Sequence, residues 1–139
     1  MRRELELQLA NDFPFMRRNP NNNQNGCIND SYSAFGCECG DGWYNLLSNL
    51  CTEITSAYAE KGLKANIEVS QVKEKYGSLR FYSNGSLNIE EIISKYEDIS
   101  ERTCELCGQP GKTFVRNEWW MTRCDACYNA RYPNQQEAE

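Results

Sequence analysis

Four cysteines near the C-terminus are the feature that most limits which fold this chain can adopt, because their spacing is that of a metal site. Cys104 and Cys107 form one Cys-x-x-Cys pair, sixteen residues follow, and Cys124 and Cys127 form the second pair. Two such pairs at this separation are typical of a tetrahedral zinc site with four thiolate ligands. Four thiolates complete the coordination of the ion and leave no position for water or substrate. The sequence therefore predicts one structural Zn²⁺ and no catalytic metal.

The residues between the two pairs predict a small antiparallel fold around the ion. Residues 113–116 and 119–122 are strand-like, and Asn117 and Glu118 lie between them at the position of a turn. Such a hairpin returns the second cysteine pair to the first. We therefore expect a zinc ribbon over residues 104–132, followed by a flexible tail over residues 133–139.

The amino-acid composition excludes several kinds of active site. The chain has eight cysteines and no histidine among 139 residues, which removes Ser-His and Cys-His nucleophile pairs and every His-ligated metal site. No apolar run approaches the ~18 residues needed to span a bilayer, and no signal-like apolar segment follows the charged start of the sequence. We therefore expect a cytoplasmic protein without a membrane partner, whose cysteines stay reduced and serve as ligands, core residues or redox groups.

The other four cysteines have no diagnostic spacing: Cys27, Cys37, Cys39 and Cys51. A second metal site formed by all four is one interpretation, and burial of some of them in the core is the other. Cys51 favours burial because it falls on the apolar side of a predicted helix. Redox catalysis is disfavoured because Glu38 and Asp41 flank the Cys-x-Cys pair, and nearby negative charge raises the pKa of a thiol.

The rest of the chain is long enough for one small core and too short for two domains of ordinary size. Apolar periodicity and turn residues predict the elements before the ribbon. They are a short N-terminal helix (2–11), an Asn-rich loop (19–26), a main helix (43–61), a β-hairpin (67–82) and a second main helix (89–101). The expected fold class is therefore α+β: a small single domain of two main helices and a β-hairpin over residues 1–103, carrying the C-terminal zinc ribbon with its four cysteine ligands.

Three stretches of the sequence form a distinctive set: residues 34–44, residues 71–82, and the cysteine quartet with Trp119 and Trp120 before its second pair. Together they resemble a family of small phage and prophage proteins of largely unassigned function, and the resemblance extends over residues 13–127. Small, acidic, metal-held phage proteins are also similar to inhibitors of host defence, including metal-containing anti-CRISPR proteins that act on type II effectors. The resemblance therefore implies a phage protein that works in the cytoplasm of a host cell.

Acidic side chains are concentrated in one part of the chain. The formal net charge is −5, and residues 27–60 contain no Lys or Arg but five acidic residues: Asp30, Glu38, Asp41, Glu53 and Glu60. One interpretation is a solvated surface that only aids solubility. The other is a surface complementary to the basic nucleic-acid channel of a partner protein. The net charge disfavours a general nucleic-acid binder.

The leading hypothesis is a protein inhibitor without catalytic activity, which binds a host defence nuclease such as a Cas9-type effector and obstructs DNA loading. The alternative is a zinc-ribbon module that binds nucleic acid or assists transcription, since aromatic residues lie near arginines in the ribbon: Trp119, Trp120, Tyr128 and Tyr132 with Arg116, Arg123 and Arg131. Glu105, Glu118 and Asp125 offset those arginines, which favours core or protein-interface roles for the rings. An enzyme that uses Glu38 or Asp41 with nearby thiols ranks last, because Gly-Asp-Gly is typical of a turn.

Overall fold

The computed structural model describes residues 1–18 and 31–133. Its helices and strands follow in chain order: α1 (Arg3–Asp12), α2 (Ser31–Phe35), β1 (Cys37–Glu38), α3 (Tyr44–Glu60), β2 (Glu68–Lys75), β3 (Ser78–Asn84), α4 (Glu90–Ser100), β4 (Lys112–Arg116), β5 (Trp119–Arg123) and α5 (Asp125–Arg131). The mixed α+β class predicted from the sequence is confirmed. The Asn-rich stretch at 19–26, Cys27, Asp30 and the tail from residue 134 lie outside the described residues.

The number of helices is larger than predicted. Five α-helices occur in the described residues, whereas the sequence predicted two main helices and a short N-terminal one. The helices that were missed are α2, with five residues, and α5, with seven. Helices this short do not contain enough turns for a periodic apolar pattern to identify them.

Helix α3 contributes much of the core. Its buried side chains recur every three or four residues along one face: Leu46, Leu47, Leu50, Cys51, Ile54 and Tyr58. Trp43 precedes the helix and is fully buried. With 17 residues, α3 is longer than the other helices described.

No helix within residues 1–18 and 31–133 combines the length and the apolar character that crossing a membrane requires.

The main sheet has the strand order β1-β2-β3. Strands β2 and β3 form the predicted antiparallel hairpin, and its two-residue turn places Tyr76 and Gly77 at φ values of +54° and +78°. Strand β1 adds a parallel edge by pairing Cys37 with Val72. The sequence analysis missed β1, because two residues cannot show the alternation by which a strand is recognised.

Helix α4 covers the outer edge of β3. The backbone N–H of Leu79 donates to Ser100 Oγ at 2.9 Å, and the N–H of Phe81 donates to Glu97 Oε2 at 3.2 Å. An uncovered edge strand would present these N–H groups to other chains. The two side chains of α4 therefore complete the hydrogen bonding of the sheet at its free edge.

Strands β4 and β5 form a second, two-stranded sheet, which confirms the hairpin predicted between the cysteine pairs. Asn117 and Glu118 form its turn, with φ values of +51° and +66°. On one face of this hairpin, Phe114 stacks on Tyr128 of α5 with ring centroids 3.8 Å apart. On the other face, the hydroxyl of Thr122 donates to the carbonyl of Gly77 in the β2–β3 turn. The hairpin is therefore held between α5 and the main sheet.

Replacing Ser100 by alanine removes the acceptor for the Leu79 N–H, and a buried N–H without a partner costs about 1–3 kcal/mol. We expect Ser100→Ala to lower the free energy of unfolding in urea by roughly that amount. Ser94→Ala is the matched control, because Ser94 is exposed on the same helix, and it should change stability by less than about 0.5 kcal/mol. Equal stabilities for the two variants would contradict the role of Ser100.

Candidate functional site

The four C-terminal cysteines converge as their spacing predicts. The sulfur atoms of Cys104, Cys107, Cys124 and Cys127 all lie within 4.8 Å of one another, and those of Cys107 and Cys124 are 3.6 Å apart. A tetrahedral site with Zn–S bonds of about 2.3 Å has sulfur atoms separated by about 3.8 Å. The cluster is therefore compatible with a structural metal such as zinc.

The first cysteine pair lies in a tight loop that the backbone closes on itself. The N–H of Cys104 donates to the carbonyl of Gln109 at 2.8 Å, and the N–H of Gly108 donates to the carbonyl of Cys104 at 2.9 Å. Gly108 has a φ of +82°, a conformation that few other residues adopt without strain. This loop buries Cys104 completely and leaves Cys107 exposed.

The second pair lies at the start of α5. Cys124 occupies the N-cap position, and its sulfur accepts a hydrogen bond from the Cys127 N–H at 3.4 Å. Helix α5 thereby places Cys127 one turn from its partner. The sequence contained a signal for this helix, since Asp125 follows Cys124 in the first turn, where an acidic side chain is favourable.

The electrostatics of the four thiols fit a cation. Burial raises the pKa of Cys104, but hydrogen bonds from backbone N–H groups, including those of Cys124 and Cys107, outweigh burial and lower this pKa to about 7. The hydrogen bond with Cys124 and partial burial raise the pKa of Cys127 to about 12. Four neighbouring thiols cannot all ionise without a counter-charge, because like charges this close repel. A divalent cation removes that repulsion and displaces the protons.

The first cysteine loop rests directly on the segment that leads into α3. The N–H of Gly42 donates to the Glu105 carbonyl at 2.8 Å, and the N–H of Gly40 donates to Glu105 Oε2 at 2.8 Å. The indole N–H of Trp43 donates to the Thr103 carbonyl at 2.9 Å. Sequence reasoning did not assign these positions to the metal site. The two glycines around Asp41 were a signal for a close backbone approach, although they do not say what approaches.

Three of the remaining cysteines are core residues. Cys37, Cys39 and Cys51 are buried, and burial is the largest factor that raises the pKa of each thiol, to about 12 for Cys37. The carboxylate that also raises the Cys37 pKa is that of Glu6, whose Oε2 accepts the Cys37 N–H at 2.8 Å. The sequence analysis had assigned this effect to Glu38 and Asp41.

The second metal site stays a prediction. In the part of the chain that the structure describes, the C-terminal quartet is the group whose ligand atoms converge, and Cys37, Cys39 and Cys51 do not join such a group. Cys27, the fourth proposed ligand, lies outside the described residues.

Two of the acidic residues predicted to bind a partner have local cations. Asp41 Oδ2 lies 2.7 Å from Arg2 Nε, and Glu53 Oε2 lies 2.6 Å from Lys95 Nζ. The hydroxyl of Tyr96 also donates to Glu53. Glu38 and Glu60 are exposed, and Asp30 falls outside the described residues.

Charge is distributed differently in space than along the sequence. Because Thr122 bonds to Gly77, the β2–β3 turn and the ribbon form one end of the molecule. We call residues 73–80 and 104–131 the ribbon end. These residues include seven basic and four acidic ones, a formal charge of +3, while the rest of the chain contains eight basic and sixteen acidic residues, a formal charge of −8. Two of the acidic residues of the rest lie next to the ribbon end, since Glu38 pairs with Lys73, and Asp41 lies between the two glycines that contact Glu105. Charges counted in consecutive segments of the sequence do not show this division, because two remote segments form the ribbon end.

Aromatic and aliphatic side chains are exposed at the ribbon end. The exposed fractions are 68% for Trp119, 47% for Trp120, 67% for Tyr76 and 56% for Val115. Val115 pairs with Trp120 across the β4–β5 hairpin. The sequence predicted core or protein-interface roles for the aromatic residues of the ribbon. Tyr128 is buried and has a core role, whereas the two tryptophans are exposed and do not.

Comparison of the chain with family models, with curated proteins and with solved structures finds no match in any of the three.

Gly42 packs so closely against the first cysteine loop that adding a single methyl group at this position should have a steric effect. A Cβ at Gly42 would lie 2.3 Å from the Cys104 carbonyl oxygen and 2.7 Å from the Cys107 backbone nitrogen. We expect Gly42→Ala to displace the cysteine loop, to destabilise the protein by about 2–4 kcal/mol, and to accelerate loss of zinc to a chelator.

Gly62→Ala is the matched control. Gly62 has a φ of +69°, and a Cβ added there would have no neighbouring atom within 4 Å. The substitution therefore costs only about 1–2 kcal/mol of backbone strain and should leave zinc release unchanged. Equal rates of zinc release in the two variants would show that Gly42 does not support the metal site.

Proposed function

We propose that the protein is a non-enzymatic nucleic-acid-binding module whose ribbon is held together by one structural Zn²⁺. Cys104, Cys107, Cys124 and Cys127 would hold the ion. Bound zinc would supply a crosslink between the two ends of the β4–β5 hairpin, and its closed coordination would offer no position for a substrate. The chain's own contribution is to position the four sulfur atoms through the loop at Gly108 and the N-cap of α5.

Several features support binding rather than catalysis. Cys37, Cys39 and Cys51 are buried thiols with raised pKa values, so they are protonated near neutral pH and are poor nucleophiles. Asp41 is paired with Arg2, which leaves its carboxylate less suited to proton transfer. Of the residues proposed for catalysis, Asp41 and the three buried thiols are therefore engaged in pairing or packing, whereas Glu38 is exposed.

One observation carries the choice of nucleic acid, namely the formal charge of +3 at the ribbon end of a chain whose other residues sum to −8. A local basic surface attracts phosphates even when the net charge of the protein is negative, because surface interactions are screened beyond about 10 Å at 0.1 M salt. The acidic remainder would orient the protein so that the ribbon end approaches the nucleic acid first.

The second candidate function is the inhibitor of a host defence nuclease. The −8 charge on the rest of the chain favours it, since an acidic surface can occupy the nucleic-acid channel of a Cas9-type effector. Glu38 and Glu60 are exposed on that part of the molecule. The resemblance to phage proteins supports this candidate as well, and it implies action in the host cytoplasm.

Metal content tests the zinc site. We expect one zinc per chain, loss of that zinc in Cys104→Ser/Cys107→Ser, and loss of ordered β4–β5 structure, because metal binding contributes folding free energy directly. Cys51→Ala should retain the metal. Full zinc content in the double variant would overturn the assignment, and two zinc ions per chain with one lost in Cys51→Ala would establish the second site.

Nucleic-acid binding is tested by gel shift with the purified, zinc-loaded protein at about 50 mM salt and again at about 200 mM salt. We expect binding at micromolar protein that weakens as salt increases. Lys75→Gln/Arg131→Gln removes two exposed cations of the ribbon end and should weaken binding, whereas Lys61→Gln/Lys64→Gln, on the other part of the chain, should not. Absence of binding at micromolar protein would reject this function and favour the inhibitor.

A further inference from the structure

We infer that the ribbon end binds single-stranded nucleic acid, with bases stacked on Trp119 and Trp120. This inference rests on the proposed function and names the form of nucleic acid and the residues that select it. The two tryptophans are adjacent in β5, so their side chains leave opposite faces of the hairpin. Each ring is therefore available to a different base.

The indole rings of Trp119 and Trp120 are exposed to solvent. Trp119 and Trp120 are 68% and 47% exposed, whereas the third tryptophan, Trp43, is fully buried. Burying an indole ring removes a large apolar area from water, so two exposed indoles, one on each face of the hairpin, indicate surface that a ligand covers. A base offers a flat aromatic face of the kind that stacks on indole, with little dependence on which base it is.

A third exposed aromatic residue, Tyr76, belongs to the β2–β3 turn, which contacts the face of the hairpin that carries Trp120. Trp120 is two residues from Thr122 on the strand and therefore shares its face, and Thr122 contacts Gly77, the neighbour of Tyr76. Tyr76 is 67% exposed. The β2–β3 turn thus brings a third exposed aromatic residue close to the β4–β5 hairpin, where a further base can stack.

Cations accompany the aromatic rings. The guanidinium groups of Arg116 and Arg131 lie 4.3 Å and 5.0 Å from the ring centre of Tyr132. Arg116 is paired with Trp119 across the hairpin. On the other side, Lys75 Nζ lies 5.8 Å from the ring centre of Tyr76. Phosphates that follow stacked bases would meet a positive charge near Trp119 and near Tyr76.

The acidic groups of this surface are few. Glu118 occupies the turn of the hairpin, and Asp125 is paired with Lys112 at 3.5 Å. The Glu74 carboxylate accepts the Gly77 N–H at 2.7 Å, and burial raises the pKa of Glu105 although the Gly40 N–H opposes this effect. Among the described residues, the structure therefore gives a cation or a backbone N–H as partner for each acidic residue of the ribbon end except Glu118.

Single strands are favoured over duplexes because a duplex keeps its base faces inside the stack and exposes only its end pairs.

A protein partner is the other ligand that such a surface could bind, since Trp, Tyr and Arg are also common at protein interfaces. The local charge of +3 in a chain of net −5 favours nucleic acid, because a phosphate backbone is negatively charged along its whole length.

The test is a titration of zinc-loaded protein into fluorescein-labelled oligothymidylate of about 15 nucleotides at about 50 mM salt, followed by anisotropy. We expect Trp119→Ala/Trp120→Ala to weaken binding by about tenfold or more. Leu63→Ala is the matched control, since Leu63 is 47% exposed like Trp120 and lies outside the ribbon end. It should change affinity by less than about twofold.

Two further measurements separate the possible failures. Zinc content and the emission of the buried Trp43 report whether the tryptophan double variant is folded, and Trp119→Phe/Trp120→Phe should restore most of the affinity, because a phenyl ring also stacks. Binding of a duplex of equal length should be at least about tenfold weaker. Unchanged affinity in the folded double variant, or equal affinity for the duplex, overturns base stacking while leaving phosphate binding by the ribbon end intact.

Failure of the unmodified protein to bind either oligonucleotide rejects the proposed function together with the inference. Capture of an acidic protein that depends on Trp119 and Trp120, without any oligonucleotide binding, would identify the surface as a protein interface and would also overturn the inference.

Discussion

The structure depends on the close approach between the first cysteine loop and the backbone of residues 40–43. Gly42 donates to the Glu105 carbonyl and Gly40 donates to the Glu105 carboxylate, while the Trp43 indole reaches the Thr103 carbonyl. The same Trp43 is fully buried at the start of α3. The first pair of candidate metal ligands is therefore fixed to the residues that begin the main core helix.

The hydrogen bonds to the core and a bound metal would contribute very different free energies to the folding of the ribbon. A hydrogen bond contributes on the order of 1 kcal/mol net to folding, so the three bonds beneath the loop orient the ribbon but do not suffice to fold it. Zinc bound to four thiolates contributes on the order of 10 kcal/mol at neutral pH. The core thus determines where the ribbon sits, and bound zinc would determine whether the β4–β5 hairpin is ordered. This division suits a domain with a small apolar interior.

What could be predicted from the sequence was local. The cysteine quartet followed from spacing, helix α3 from apolar periodicity, and the two hairpins from their strand and turn residues. Features that depend on distant residues could not be predicted. The Glu6 carboxylate beside Cys37 comes from 31 positions away, and the Glu105 contact with Gly40 joins residues 65 positions apart. The charge of the ribbon end was hidden for the same reason, because two remote segments combine to form it.

The contact between Gly42 and Glu105 has a consequence for how this ribbon can be reused. Transplanted to another protein, a segment beginning at Cys104 would keep its four sulfur ligands but would lose the N–H donors that satisfy Glu105. A side chain in place of either glycine beneath it would collide with the loop backbone. The ribbon and the Gly-Asp-Gly segment therefore have to be inherited together, because recombination at residue 103 would leave the four cysteines in a segment without a fixed orientation.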